Sequence, residues 1–167
     1  MKLCEYTSAD EKDCLAIFDS NMPLYFAPQE RETFQRFLNK LAAPYFYFVV
    51  RDEMEKIVGC GGTKLDLSNG QAWLRWGMVA REFHKRRIGT FLTLSRMYRA
   101  CQIPEIQTIW MGTGQDSYRF YEKIGFVTQR MLPNGIVPGI DEYLMELKLD
   151  DGKRQELESL SKRAFLI

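Results

Sequence analysis

Apolar and polar positions divide the N-terminal part of this chain into short alternating segments. Residues 3–6 predict a strand, and a helix follows that starts at residues 7–10 and ends at residues 21–23. Pro28 suits the first turn of a second helix, which we expect to end near residue 41, before Pro44. The buried stripe of this helix is predicted from the helical spacing of Phe34, Phe37, Leu38 and Leu41.

The middle of the chain predicts three strands paired in antiparallel order. The strands are expected at residues 45–51, 56–67 and 72–79. An acidic turn at residues 52–55 joins the first two, and a turn at residues 68–70 joins the second and third.

The C-terminal half predicts one crossover and a final strand pair. In chain order we expect a helix from Gly89 to about residue 102, a buried strand at residues 106–111, a helix at residues 116–124 before Gly125, and strands at residues 126–131 and 142–149. These elements predict an α/β (α+β) fold, with a mixed, mostly antiparallel sheet of about seven strands, one parallel crossover and helices on both faces.

Length and composition fit one globular domain. A chain of 167 residues buries about two-thirds of its unfolded surface around one core. We expect residues 1–149 to form that domain and residues 150–167 a polar, helical extension with Leu157, Leu160 and Ala164 on one face. With 46% hydrophobic residues and a net charge of +1, the chain is not a general polyanion binder, so nucleic acid is not an expected partner.

The N-terminal residues and the cysteines predict a cytoplasmic protein. Residues 1–10 include acids and no apolar run of signal-peptide length. The longest apolar run, residues 45–50, is too short to span a bilayer, so no membrane partner is expected. Cys4, Cys14, Cys60 and Cys101 lie far apart without a Cys-x-x-Cys pair, which predicts four reduced thiols.

A dense cluster of positive charge lies between the strand that ends at Val79 and the helix that follows Gly89. Against one acid, Glu82, it contains Arg81, His84, Lys85, Arg86 and Arg87. A helix N-terminus presents unpaired N–H groups and a partial positive charge, and Gly89 would let the backbone approach a ligand closely, so the turn suits a phosphorylated ligand. A solvated basic turn has the same composition, and the cluster alone leaves both interpretations open.

Other motifs lack the context that their chemistry needs. Gly59-Cys60-Gly61-Gly62 lies within a predicted strand and does not open a helix, as a dinucleotide fingerprint would. No glycine-rich loop leads into Gly-Lys-Ser or Gly-Lys-Thr. The single histidine, His84, has no evident acid to orient it in a hydrolytic triad, and the scattered cysteines give no zinc ligand set, so we expect no metal. The aromatic residues 45–48 fit a buried strand better than an RNA-stacking surface.

Two segments together resemble the GCN5-related N-acetyltransferase (GNAT) family. Residues 84–90, His-Lys-Arg-Arg-Ile-Gly-Thr, resemble the acyl-CoA pyrophosphate loop, Gln/Arg-x-x-Gly-x-Gly/Ala. Residues 118–126, Tyr-Arg-Phe-Tyr-Glu-Lys-Ile-Gly-Phe, resemble the family's Tyr-x-Lys-x-Gly-Phe segment. Arg87 stands where the family usually has its first glycine, His84 where it has Gln or Arg, and Gly114 where many members have an asparagine that contacts the cofactor.

The resemblance spans about residues 3–149 and implies an acyl-CoA N-acyltransferase-like fold that uses acetyl-CoA. It implies that the backbone of Gly77, Met78 and Val79 binds the pantetheine arm and holds the thioester carbonyl. It implies a pyrophosphate site formed chiefly by backbone N–H groups of Lys85, Arg86, Arg87, Ile88, Gly89 and Thr90. Tyr121 matches the tyrosine that protonates the departing thiolate, although a packed core aromatic would look the same and Tyr118 lies one turn earlier.

The sequence leaves the general base and the acceptor open. Residues 72–79 contain no acid, and the candidates by rough location, which also suit surface positions, are Asp66, Glu105, Asp116 and Glu142. Acceptor selection is expected from residues 21–27, the second helix and a loop at residues 132–141. In these segments a partly apolar pocket, or a set of core-capping residues, is suggested by Tyr25, Phe26, Ile136 and Val137.

The predicted function is therefore direct transfer of an acetyl group from acetyl-CoA to a primary amine of a small molecule or peptide. Transfer of another acyl group is one alternative. A CoA-binding sensor or adaptor with the same fold and no turnover is another, since a fold alone does not separate them. The resemblance also allows a homodimer.

Overall fold

The computed structural model describes residues 1–40, 42 and 45–164, with side chains described to residue 160. The strands are β1 (Lys2–Glu5), β2 (Phe48–Arg51), β3 (Ile57–Asp66), β4 (Gln71–Val79), β5 (Thr108–Thr113), β6 (Val127–Val137) and β7 (Ile140–Lys148). The helices are α1 (Glu11–Asn21), α2 (Glu30–Lys40), α3 (Ile88–Cys101), α4 (Tyr118–Glu122) and α5 (Asp151–Ala164). The predictions made for Leu41 and Pro44 lie outside the described residues.

In the described part of the chain, seven strands form one mixed sheet in the order β1-β2-β3-β4-β5-β7-β6. The pair β4 and β5 is parallel, and the other neighbouring pairs are antiparallel. Because parallel neighbours need a crossover, α3 connects the two strands across one face of the sheet. The predicted mixed sheet with one parallel crossover is confirmed.

Helices cover both faces of the sheet, as predicted. On one face α1 and α2 pack over β2, β3 and β4 through an apolar cluster that includes Phe18, Phe34, Phe37, Tyr47 and Trp76. On the other face α3 and α5 pack over β4, β5 and β7 through Leu74, Met97, Ile109, Leu147 and Leu157. Helix α5 lies in the segment predicted to be a polar C-terminal extension. Its Leu157 is 2% exposed, and its Arg154 donates hydrogen bonds to the carbonyls of Cys101 and Ile106.

Two helices are shorter than their sequence pattern suggests. The second is assigned from Glu30 instead of residue 28, with residues 28–29 in a turn, and the Glu30 carboxylate accepts a hydrogen bond from the Ala27 N–H (2.8 Å) at the helix start. The fourth covers Tyr118–Glu122 instead of residues 116–124, and Gly125, with a φ of 108°, follows its end. Helix ends fray by one or two residues, so sequence pattern places them poorly.

Two aromatic and glycine-containing segments differ from the prediction. The second strand begins at Phe48 instead of residue 45, because Tyr45 and Phe46 form a turn in which Phe46 has a φ of 45° and is 54% exposed. The segment at residues 132–141 is not a loop but the end of a long hairpin, with Gly139 at its turn. Pro133 is tolerated within β6 because this strand lies at the edge of the sheet.

Across residues 1–40, 42 and 45–164, none of the helices has the length and apolar character needed to cross a membrane.

Candidate functional site

The parallel strands β4 and β5 separate beyond their first three residues. Their pairing runs from Gln71 and Thr108 to Trp73 and Trp110 and then stops, although β4 continues to Val79 and β5 continues as well. Between the separated strand ends lies a cleft of about 850 Å³. A cleft of this size is typical of a small-molecule site.

A bulge in β4 shapes the inner wall of this cleft. The register between β3 and β4 shifts there, and Trp76 has a left-handed φ of 47°. The Tyr47 hydroxyl donates a hydrogen bond to the Trp76 carbonyl (3.0 Å), and the Trp76 ring packs 5.1 Å from the ring of Phe34. Bulges re-aim the residues that follow them, and here Gly77 and Met78 line the cleft.

Val79 turns its backbone toward the same cleft. The N–H of Ala80 donates to the carbonyl of Val58 in β3 (2.9 Å). The backbone N–H and C=O groups of successive residues in an antiparallel strand point to opposite edges of that strand. The backbone groups of Val79 therefore face away from β3. The Val79 carbonyl accepts a hydrogen bond from the Asn21 amide (2.8 Å), and His84 Nε2 lies 3.0 Å from the same oxygen. The Val79 N–H is therefore the group that a ligand would use.

The basic turn before α3 has the backbone of an anion site. Lys85 and Arg87 have left-handed φ values of 64° and 63°, and Arg87, the N-cap residue of α3, makes no capping side-chain hydrogen bond. The Phe91 N–H donates to the Arg87 carbonyl (3.0 Å), so the N–H groups of the three residues between them have no intrahelical acceptor. Left-handed residues in such a turn aim successive N–H groups into one concavity, which binds anions.

The side chains of this turn point in different directions. Lys85 and Arg87 are exposed and line the cleft together with Gly89 and Thr90. Arg86 instead stacks over the Phe83 ring (5.1 Å), and Ile88 is 5% exposed in the apolar core. A contribution of Arg86 or Ile88 to ligand binding is thereby limited to backbone groups.

The φ of Arg87 explains why glycine is usual at this position of the motif. A left-handed conformation costs a residue with a Cβ about 1–2 kcal/mol. We expect Arg87→Gly to change the free energy of unfolding by less than about 1 kcal/mol, because relief of this strain is offset by the larger conformational freedom of glycine in the unfolded chain. Urea denaturation measures the change. Arg86→Gly, which relieves no left-handed strain, is the matched control and should be the less stable of the two.

Tyr121, on α4, lines the cleft. It is 8% exposed, and its ring packs edge-on against Phe120 (4.8 Å) and Phe126 (5.9 Å). Burial raises the pKa of its phenol above the ordinary 10, and the nearby Arg96 lowers it in part. The phenol therefore stays protonated near neutral pH and can donate a proton.

Tyr118, the neighbouring tyrosine, has a structural position. Its ring stacks on Tyr143 with a centroid distance of 4.2 Å and an interplanar angle of 6°. Its hydroxyl accepts a hydrogen bond from Arg119 Nε (3.0 Å). Tyr121 lines the cleft and Tyr118 does not, so the geometry separates the two candidates.

Arg96, which neither motif includes, also lines the cleft. It is 1% exposed, and its guanidinium donates to the carbonyls of Leu92 (3.3 Å), Gly62 (3.3 Å) and Arg75 (3.5 Å). None of the ion pairs between described residues involves it. The sequence signal was its helical spacing from Leu92 and Ala100, which places a charge on an apolar face.

Of the four acids considered as a base, two line the cleft. These are Asp116, which is exposed, and Glu142, whose Oε1 would lie 3.2 Å from a Cβ added at Gly112. Asp66 instead accepts hydrogen bonds within the turn at residues 67–69, and Glu105 does not line the cleft.

The cleft lining contains most of the residues predicted to select an acceptor. Tyr25 and Phe26, between α1 and α2, and Ile136 of β6 line it, whereas Val137 does not. Glu30 adds a carboxyl whose pKa is raised by burial and partly lowered by its hydrogen bond from the Ala27 N–H. This part of the cleft lining is therefore partly apolar and also contains the carboxyl group of Glu30.

A mixed sheet whose parallel strands diverge beside a basic helix start defines the acyl-CoA N-acyltransferase-like class. The family model described as the acetyltransferase (GNAT) family matches residues 14–126. The chain belongs to the GNAT acetyltransferase family. No curated protein matches the chain.

Solved structures support the same fold. The ribosomal-protein-S18-alanine N-acetyltransferase of Escherichia coli matches with a TM-score of 0.72 and 17% identity over 89% of this chain and 94% of that one. The spermidine N-acetyltransferase of Vibrio cholerae, in complex with CoA and spermine, matches with a TM-score of 0.73 and 16% identity over 92% and 97%. A GNAT acetyltransferase of Staphylococcus aureus Mu50 matches with a TM-score of 0.70 and 20% identity over 89% and 99%. The predicted fold is confirmed.

Proposed function

We propose that this protein is a cytoplasmic N-acetyltransferase that transfers the acetyl group of acetyl-CoA to a primary amine of a small molecule or peptide. The divergence of β4 and β5 is the observation that supports it most, because it joins the basic turn and Tyr121 in one cleft. The spermidine N-acetyltransferase neighbour, which was solved with CoA and spermine, is consistent with this choice of ligand.

The described residues fit the parts of acetyl-CoA. Lys85 and Arg87 supply cations, and the unpaired N–H groups at the start of α3 supply donors for a diphosphate. The edge of β4 from Gly77 to Val79 offers backbone groups to an extended pantetheine arm. Bound acetyl-CoA supplies an activated acetyl group and a thiolate leaving group.

The chain's own groups then act on the two reactants. Backbone N–H groups beside the β4 bulge hold the thioester carbonyl, where negative charge develops. Tyr121 donates its proton to the departing sulfur. An alkyl ammonium has a pKa of about 10 and must lose a proton before it attacks. Glu30, Asp116 and Glu142 attract the cation, and one of them accepts that proton directly or through water.

Acetyl-CoA should stabilise the protein against heat. At about 100 times its dissociation constant, a ligand that binds only the folded state adds about 2.7 kcal/mol. For a chain of this length we expect the melting temperature to rise by about 5–10 °C, which differential scanning fluorimetry measures. An unchanged melting temperature at saturating concentration would rule out the proposed ligand.

Gly89→Ala is the matched control for this shift. A Cβ at Gly89 would lie 3.8 Å from Phe120 and from Val79, which is ordinary contact, so the fold itself does not require glycine there. Alanine also has a helix propensity about 1 kcal/mol more favourable than that of glycine. The variant should melt no lower than the wild type without ligand, and should lose most of the acetyl-CoA shift because its methyl group obstructs the diphosphate.

Turnover is tested by release of the CoA thiol. Acceptor panels should contain polyamines, aminoglycosides, amino acids and peptides with free N-termini. Acetyl-CoA binding without thiol release for any acceptor would support the sensor alternative.

A further inference from the structure

Arg96 has a charge in the protein interior that the fold does not neutralise. Its side chain is 1% exposed, and its hydrogen bonds go to neutral carbonyl oxygens of Leu92, Gly62 and Arg75. None of the ion pairs between described residues includes it. Buried cations are usually paired, because an unpaired one costs folding free energy. This position is therefore unfavourable unless negative charge forms beside it.

The guanidinium lies directly against the bulge of β4. A Cβ added at Gly77 would lie 2.6 Å from Nη2 of Arg96, and one added at Gly61 would lie 2.9 Å from Nη1. Strands β3 and β4 thus approach Arg96 through glycines, which leaves room for its guanidinium beside the β4 bulge. Arg96 and Gly77 both line the cleft at this point.

Arg96 and Tyr121 line the same cleft, and the guanidinium partly offsets the rise that burial causes in the pKa of the Tyr121 phenol. A guanidinium has donors and no acceptor, so Arg96 can act on Tyr121 only by donating to the phenol oxygen. The side-chain hydrogen bonds of the tyrosines and of Arg96 in the described residues do not have the Tyr121 hydroxyl as a donor. The hydroxyl proton is therefore left for a group that enters the cleft.

We propose that Arg96 is a positioning residue that orients the Tyr121 hydroxyl as a proton donor and stabilises the negative charge that forms at sulfur and phenol. The inference rests on the proposed function, because that charge arises when acetyl-CoA reacts. In this step the bond from the acceptor nitrogen to the acetyl carbon forms and the carbon–sulfur bond breaks. The Tyr121 proton passes to sulfur, and the phenolate beside Arg96 regains a proton that the acceptor nitrogen gives up.

Binding of CoA and of desulfo-CoA, which lacks the sulfur, tests the proposal without turnover. A free thiol has a pKa of about 8.5. If Arg96 and Tyr121 stabilise the thiolate, the bound thiol has a lower pKa than the free one. The ratio of CoA affinity to desulfo-CoA affinity then rises with pH from the bound pKa to the free pKa and is constant above it. It rises tenfold for each unit between them.

Other titratable groups near Arg96 and the cleft affect both ligands alike. Tyr47 and Cys60 face Arg96 from the aromatic cluster and β3, and His84, Lys85 and Glu142 line the cleft. The acids Glu30 and Asp116 also line the cleft. Because CoA and desulfo-CoA differ only in the sulfur, the affinity ratio removes these contributions.

Isothermal titration calorimetry from pH 6 to pH 9 should show that the ratio of CoA affinity to desulfo-CoA affinity rises with pH for the wild type. Arg99→Met is the control and should show the same rise, because Arg99 is exposed on α3 and stacks over Phe48. Arg96→Met should flatten the ratio. If Arg96→Met does not fold, Tyr121→Phe, which keeps the ring and loses the hydroxyl, should flatten it instead.

A flat ratio in the wild type, with both ligands bound, would overturn the role of Arg96 and leave the proposed function intact. A rising ratio in a folded Arg96→Met would also overturn it. Binding of neither ligand would overturn the proposed function itself, and this inference with it.

Discussion

Tyr121→Phe should lower the kcat of amine acetylation by about 10²–10⁴-fold, the usual contribution of a positioned proton donor. The phenyl ring keeps the edge contacts with Phe120 and Phe126, so the variant should fold normally. Because the lost interaction forms mainly when charge develops on sulfur, kcat should fall while the affinity for acetyl-CoA changes little. Steady-state kinetics with the best acceptor of the thiol-release panel measures both quantities.

Tyr118→Phe is the control for that variant. Tyr118 lies one turn earlier on the same helix, and its hydroxyl accepts its hydrogen bond from Arg119 outside the cleft. We expect its kcat to stay near that of the wild type. If Tyr121→Phe turns over as fast as Tyr118→Phe, the acid role is wrong, and the family assignment is unaffected.

The sequence predicted those parts of the fold that depend on local pattern. Alternation and turn residues placed the hairpin at Gly70, and helical spacing placed the buried face of α2. Aromatic composition was a poorer guide, because Tyr45 and Phe46 suit a turn as well as a strand. The glycine and proline at residues 132–141 suggested a loop, yet an edge strand tolerates both.

The sequence predicted the parts of the site that consecutive residues form, but not the parts that need contacts between residues far apart in the chain. The basic turn is local, so its charge and its place before α3 could be read directly. The separation of β4 from β5 depends on non-local pairing, and so does the contact between Asn21 and Val79. Arg96 was hidden for the same reason, since a single charge in a helical stripe gains meaning only when Gly61 and Gly77 are seen against it.

The apolar cluster beneath α1 and α2 packs against the β4 bulge that lines the cleft. Phe34 is fully buried, and its ring packs 5.1 Å from Trp76, 5.5 Å from Phe18 and 6.3 Å from Tyr47. Trp76 is the residue of the β4 bulge with a left-handed φ, and the Tyr47 hydroxyl donates a hydrogen bond to its carbonyl. Packing on α2 is therefore coupled to the strand that we expect to bind the pantetheine arm.

Phe34→Ala should accordingly lower the free energy of unfolding by about 3–5 kcal/mol, the usual cost of a large cavity in an aromatic core. Urea denaturation measures this loss, and Phe46→Ala is the control, because Phe46 is 54% exposed and should change stability by no more than about 0.5 kcal/mol. If the cluster also holds the bulge, folded Phe34→Ala should bind acetyl-CoA more weakly than folded Phe46→Ala. Equal acetyl-CoA affinity in the two variants would mean that the bulge keeps its shape without Phe34 and depends on its own hydrogen bond from Tyr47.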